Sequence, residues 1–163
     1  MAIPGVIQPD ILNVGGALRL RRYDGDHSFA LAWYQDPETV YLVDGDPAPY
    51  TPERLDRMYA YLADRGELYW IEVLEEGRWR PIGDVTFWRD DMPIVIGDRR
   101  YRGRGIGRQV VSALVRRGRS LGCDWLRVRE IYDCNAASRR CFEAAGFRAY
   151  EKTEKGSRYE LLL

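Results

Sequence analysis

Residues 101–108 read YRGRGIGR, with an apolar run, PIVIG, just before them and a segment of helical periodicity just after. Glycines at 103, 105 and 107 leave the backbone bare where a strand gives way to a helix. Amide N–H groups bared at the positive end of a helix form a seat for a phosphate or pyrophosphate. Arg102, Arg104 and Arg108 add charge-assisted donors around that seat. A dinucleotide fold requires G-x-G-x-x-G and a P-loop requires G-x-x-x-x-G-K-[ST], and neither pattern occurs here. What stands at 102–107 is R-x-x-G-x-G, and from these six residues alone an ordinary strand-to-helix turn is the competing reading.

The composition narrows the class. A chain of 163 residues that is 45% hydrophobic and 12% aromatic suits one domain with a full core, spanning 1–163. The opening MAIPGVIQPD carries no basic segment ahead of its few apolar residues, and no apolar run approaches the length of a membrane span, so neither secretion nor a membrane is expected. Cys123, Cys134 and Cys141 fit neither a disulfide framework nor a zinc site, which suits a reduced, cytoplasmic setting. His27 is the only histidine, so no metal centre and no Ser-His-Asp arrangement is expected. Net charge is zero but sorted: residues 36–76 hold eleven acids against three arginines, and residues 99–119 hold eight arginines and no acid. The basic segment suits an anionic cofactor and the acidic one a cationic acceptor, unless both are solvated faces.

Read in order, ALRLRRYD alternates as a first strand and HSFALAWYQD reads as a short helix. DPETVYLVDGDPAPY reads as a loop, with a short turn of helix or extended segment around Val40 to Val43. Thr51 and Pro52 start a helix that Gly66 should end in a left-handed cap. Two strand-like runs flank Glu75–Glu76–Gly77 as a hairpin, and a third run spans Pro93 to Gly97. Ile106, Val110, Leu114 and Leu121 then recur at helical spacing until Gly122. DWLRVREIYD is a strand whose alternation puts Leu126, Val128, Glu130 and Tyr132 on one face. RYELLL closes the chain as a strand whose exposed edge suits a homodimer. Strands followed by helix, strand, helix and strand make an α/β layer arrangement with a central mixed sheet.

About thirty residues after the glycine loop the chain reads REIYDCNAASRRCFEAAGF: Asn135 at the end of a strand, Ser138 three residues on, and Gly146–Phe147 closing a short helix. In this order and spacing the two segments resemble the acetyl-CoA loop and closing motif of the GCN5-related N-acetyltransferase superfamily. The style is closest to the ribosomal-protein N-terminal and aminoglycoside acetyltransferase-like members. The resemblance is close over residues 79–150 and follows element order elsewhere. It implies a mixed central sheet with helices on both faces and two splayed parallel strands, here Pro93 to Gly97 and Trp125 to Tyr132. It also implies acetyl-CoA as cosubstrate. Its pantetheine would pair with the backbone of Val95, Ile96 and Gly97, and its pyrophosphate would sit on Arg102, Gly103, Arg104, Gly105, Ile106, Gly107 and Arg108. Asn135 and Ser138 would complete the cofactor site.

The implied reaction is direct acetyl transfer to a primary amine: a protein N-terminus, an aminoglycoside-like compound or another small amine. Glu130, a carboxylate on an otherwise apolar strand face, is the leading base, with an ion pair to Arg127, Arg129 or another arginine as its other reading. Asp91 competes by its place in the family pattern and Asp84 comes third. Many relatives carry a tyrosine acid four residues before the closing Gly–Phe, where this chain has Phe142. Ser138, directly or through water, is the expected proton donor, with Tyr132 next; Cys141 reads as a small core residue. Phe142 also keeps open a non-catalytic acetyl-CoA sensor. The 99–119 arginines are accounted for by the cofactor, so no nucleic acid is expected.

Overall fold

The computed structural model describes residues 2–163. Strands β1 (Ile11–Gly15) and β2 (Leu18–Arg22) are followed by a 3-10 segment (Ser28–Gln35) and helices α1 (Pro37–Asp44) and α2 (Pro52–Arg65). Then come β3 (Glu67–Glu75), β4 (Arg78–Phe87) and β5 (Ile94–Ile96), helix α3 (Ile106–Ser120), β6 (Trp125–Tyr132), α4 (Ala136–Ala144), β7 (Arg148–Lys152) and β8 (Gly156–Leu162). One antiparallel sheet has the order β1-β2-β3-β4-β5 and a second the order β6-β8-β7.

Among the described residues the hydrogen bonds between the two sheets lie at one end. The Arg127 amide donates to the Arg89 carbonyl (2.9 Å) and the Arg129 amide to the Asp91 carboxylate (3.0 Å). From that junction β5 and β6 run in the same direction and belong to separate sheets, so the opening lies toward Ile96 and Tyr132. This is the splayed parallel pair that the sequence led one to expect. Helices cover both sides: Val110, Leu114 and Phe142 of α3 and α4 pack on Tyr69, Ile71 and Val85, while Tyr34 and Tyr59 pack on Trp70. Covered on both faces, β3 is buried continuously from Glu67 to Val73 instead of alternating.

Several elements differ from the sequence reading, each for a local reason. The expected loop after Asp36 is α1: Asp36 accepts the Glu38 amide (3.2 Å), Pro37 occupies the first turn, and Gly45 ends the helix at φ 73°. Gly66 is not left-handed (φ −153°); an added Cβ would lie 2.6 Å from the Phe87 carbonyl oxygen, so close approach of backbones is what requires glycine there. The Glu75–Arg78 connection is the hairpin anticipated, with Glu76 and Gly77 both at positive φ (51° and 73°). RYELLL lies in β8, the centre of its sheet between β6 and β7, so the edge argued for a homodimer is already paired. Strands β1 and β7 were not read from the sequence: β7 is exposed throughout and β1 has no buried residue, so neither carries a burial pattern.

The acidic stretch is largely neutralised within the fold. Glu72 sits between Arg19 and Arg21 (2.8 Å each), Glu67 binds Arg117 (2.8 Å), and Asp44 binds Arg54 (2.9 Å). Asp36 takes Arg99, which holds its carboxyl down at about 2. Residues far apart in sequence thus cancel charges that looked segregated along the chain.

Candidate active site at the open end of the splayed strands

The glycine loop enters α3 as the sequence suggests. Gly103 (φ 72°) and Gly105 (φ 77°) are left-handed and exposed, and nothing lies within 4 Å of a Cβ at either. Gly105 offers no capping side chain, and the first helical bond runs from the Gln109 amide to the Gly105 carbonyl (3.2 Å). The N–H groups of Ile106, Gly107 and Arg108 therefore have no intrahelical acceptor and lie at the positive end of a fifteen-residue helix. Gly107 serves a different purpose: its Cβ would meet the Cys141 sulfur at 3.0 Å, so it lets α4 close against α3. Arg104 and Arg108 are exposed, with the Arg104 guanidinium 5.1 Å from the Tyr101 ring centroid. Bare amides and two cations that make no ion pair among the described residues, at one helix terminus, fit the pyrophosphate of acetyl-CoA.

Arg102, expected to hold phosphate, turns its guanidinium inward. Its Nε donates to the Ile96 carbonyl (2.9 Å) and its Nη2 to the Thr39 hydroxyl of α1 (2.6 Å), so its side chain is spent inside the protein.

The pantetheine strand is also more selective than expected. The Thr86 amide bonds the Pro93 carbonyl (3.0 Å) and the Asp98 amide bonds the Ile82 carbonyl (3.0 Å), with Asp84 opposite Val95 between them. Antiparallel alternation then turns the backbone groups of Val95 toward β4 and those of Ile94 and Ile96 toward the opening. The backbone groups of Val95, expected to pair with pantetheine, are thus turned to β4. The Ile96 carbonyl is taken by Arg102, which leaves its N–H for a ligand. Gly97 is buried beneath Trp33, whose ring occupies the space that a Cβ would need.

The three candidate carboxylates occupy three different settings. On β6 the pairing with β8 slips between Val128 and Ile131, so Ile131 joins Leu126 and Val128 in the core and the expected common face with Glu130 is broken. Glu130 is half-buried within this bulge, near Tyr132, and takes part in no hydrogen bond or ion pair among the described residues. The ion pair weighed for it is absent there: Arg127 binds Glu160 instead (2.8 Å). Asp91 lies at the closed end of the splay and accepts the amides of Met92 and Arg129 (3.0 Å each), with burial raising its carboxyl. Asp84 is fully buried and receives the hydroxyls of Tyr34 (2.7 Å) and Tyr59 (2.8 Å) on one oxygen; burial pushes it up to about 6. The tyrosines around Asp84 were not singled out from the sequence, because they come from the 3-10 segment and α2, separated from it by 50 and 25 residues.

On the far side of the opening Asn135 caps α4, accepting the Ser138 amide (3.1 Å), and Ser138 is half-buried in the helix's first turn. Phe142 is 1% exposed and meets Phe147 edge-on (centroids 5.2 Å, 81°), so the position is filled for packing. Cys141 is half-buried, its thiol raised by burial. Tyr132 is half-buried with its phenol raised by burial, then by the charges of Glu130 and Asp44. Asp44 belongs to α1, which crosses the opening: Asp36 and Thr39 are tied to Arg99 and Arg102 at one end, and a Cβ at Gly45 would lie 3.8 Å from the Tyr132 ring at the other. Among the described residues no group of three His, Cys, Asp or Glu side chains could hold a metal ion, and no helix is long and apolar enough to cross a membrane.

Comparison with known proteins agrees with this geometry. No curated protein matches the chain in sequence. Among solved structures, a domain from Methanocaldococcus jannaschii DSM 2661 is 23% identical, with a TM-score of 0.76 over 90% of this chain and 98% of that one. A GNAT-family acetyltransferase from Bacillus anthracis is 15% identical (TM-score 0.74; 93% and 98%). RimL, a ribosomal L7/L12 alpha-N-protein acetyltransferase in complex with coenzyme A, is 17% identical (TM-score 0.72; 94% and 98%). Residues 17–148, well over half of the chain, match the family described as Acetyltransferase (GNAT) domain. The chain therefore belongs to the GNAT family of N-acetyltransferases.

Proposed function

We propose that this protein binds acetyl-CoA along the opening between β5 and β6 and passes the acetyl group directly to a primary amine. What supports this reading is an uncapped α3 N-terminus with left-handed glycines following the β5 side of the opening, and on β6 a carboxylate, Glu130, that is unpaired among the described residues. In this reading the α3 amides with Arg104 and Arg108 hold the pyrophosphate, and the outward backbone of Ile94 and Ile96 aligns pantetheine as an added strand. The Ile96 N–H is the available donor for the thioester carbonyl as charge develops on its oxygen.

The amine must lose its extra proton before it can attack. Glu130 is the base in our reading, since it lies at the opening beside Tyr132 and its charge is not committed elsewhere. The neutral amine attacks the carbonyl carbon and the carbon–sulfur bond breaks; the departing thiolate takes a proton from Ser138 or a water that it holds, and the proton shed by the new amide nitrogen replaces it, leaving the amide, the coenzyme A thiol and one proton on Glu130. Ser138 is favoured because Phe142 has no proton to give and is sealed in the core. Asp91 is better suited to clip the two sheets together through two amides than to reach a substrate. The acceptor classes we favour are a protein N-terminus, an aminoglycoside-like compound or another small amine such as a polyamine. α1 and Tyr132 would frame the acceptor.

A thiol-release assay with acetyl-CoA across free-N-terminal peptides, an aminoglycoside and a polyamine tests the reading. Amine-dependent release of coenzyme A is expected. Tight binding of acetyl-CoA with no release for any amine would favour a sensor instead.

A further inference from the structure

We propose that Arg102 is a positioning residue that couples the cofactor loop to α1, the wall of the acceptor side, and that its guanidinium holds no phosphate. This rests on the acetyl-CoA reading above. One guanidinium joins three segments: Nε reaches the carbonyl of Ile96 on β5 (2.9 Å), Nη2 reaches Thr39 on α1 (2.6 Å), and Nη1 lies 4.0 Å from Glu38, while the backbone of Arg102 opens the glycine loop. Its side chain is 26% exposed, against 66% for Arg100 nearby.

Thr39 is built to receive it. Its side chain is buried (1% exposed), its hydroxyl accepts from Arg102, and it donates in turn to the Asp36 carboxylate (3.2 Å), which also binds Arg99 (2.6 Å). A planar fork with donors at fixed angles can satisfy the Ile96 carbonyl and the Thr39 hydroxyl together, whereas a lysine ammonium is a single point. The Ile96 backbone lines the opening on one side, and the far end of α1 meets Tyr132 on the other. A ligand that orders the glycine loop therefore orders α1 through Arg102 and Thr39, and the acceptor wall takes its position as the cofactor seats.

Hydrogen exchange of the α1 amides, measured with and without coenzyme A alone, tests this, together with coenzyme A affinity over a range of salt. In the unmodified protein coenzyme A should slow α1 exchange. Arg102→Met and Thr39→Val should bind coenzyme A within about threefold of the unmodified protein, with the same salt slope, yet lose the α1 response. Thr39→Ser, which keeps the hydroxyl, should restore it. A loss of about tenfold or more in affinity with a shallower salt slope in Arg102→Met would make Arg102 a phosphate ligand and overturn the proposal. An α1 response that persists in both variants, or is missing from the unmodified protein, would overturn it equally. If Arg102→Met does not fold, Thr39→Val and Thr39→Ser decide the matter. Failure of the unmodified protein to bind coenzyme A would remove the acetyl-CoA reading itself, a separate result.

Discussion

Replacing Asp84 with asparagine should change how stability depends on pH, and the size follows from the setting of this carboxyl. Burial raises its midpoint from 3.8 to about 6, against the lowering effect of the Tyr34 and Tyr59 hydroxyls. A raised carboxyl binds its proton more tightly in the folded state than in the unfolded chain. Its contribution to stability is thus complete below about pH 4 and lost as pH rises through about 6. The loss amounts to about 3 kcal/mol, at roughly 1.4 kcal/mol for each pH unit between the two midpoints. Asparagine keeps an oxygen for the two hydroxyls but adds an N–H2 group, whose cost of about 1–3 kcal/mol if unpaired is the same at every pH. The quantity to read is therefore the slope. Urea unfolding of both proteins from pH 4 to 8 should show the stability of Asp84→Asn relative to the parent rising by about 3 kcal/mol, mostly between pH 4 and 6.5. A difference that stays flat across that range would refute the argument, because it would mean that Asp84 ionises as easily in the fold as in the unfolded chain. Turnover of the same variant speaks to mechanism: near-normal acetyl transfer leaves the base role with Glu130, and abolished transfer moves it to Asp84 acting through its tyrosines.

Glu130→Gln should lower amine-dependent turnover by about 100-fold or more, with coenzyme A affinity within about threefold and thermal stability unchanged. Asp91→Ala should instead lower stability by about 1–3 kcal/mol, read by denaturant unfolding, because the oxygen that accepts the Met92 and Arg129 amides is lost. Phe142→Tyr should not improve turnover and should lower the melting temperature, since the added hydroxyl enters a core position 1% exposed; higher turnover would show that the hydroxyl reaches the opening. Gly66→Ala should cost well over 1 kcal/mol in denaturant unfolding, because its Cβ would lie 2.6 Å from the Phe87 carbonyl oxygen, and a neutral result would show that the backbone there yields easily.

Chemistry that depends on neighbours in the chain was legible in the sequence by itself. The glycine loop, the Thr51 and Asn135 caps, the hairpin turn at Glu76–Gly77 and the α3 periodicity are local, since their hydrogen bonds and dihedral angles are set within a few residues. The splayed strands were implied by the resemblance of two such motifs to the N-acetyltransferase superfamily. What required the tertiary structure was every assignment that depends on which distant group a side chain meets. Arg102 carries the same charge as Arg104 and Arg108, yet Thr39, 63 residues away, determines that its guanidinium faces inward. Glu130 alternates correctly with Leu126 and Val128 in sequence, and only the slip against β8 takes it off their face. Charge sorted along the chain became charge paired across it, because folding brings Glu67 to Arg117 and Asp36 to Arg99. Local pattern determines the elements, since it acts through backbone sterics and period. Long-range packing decides the protonation and reach of each side chain, since burial and partner charges exist only once the layers have closed.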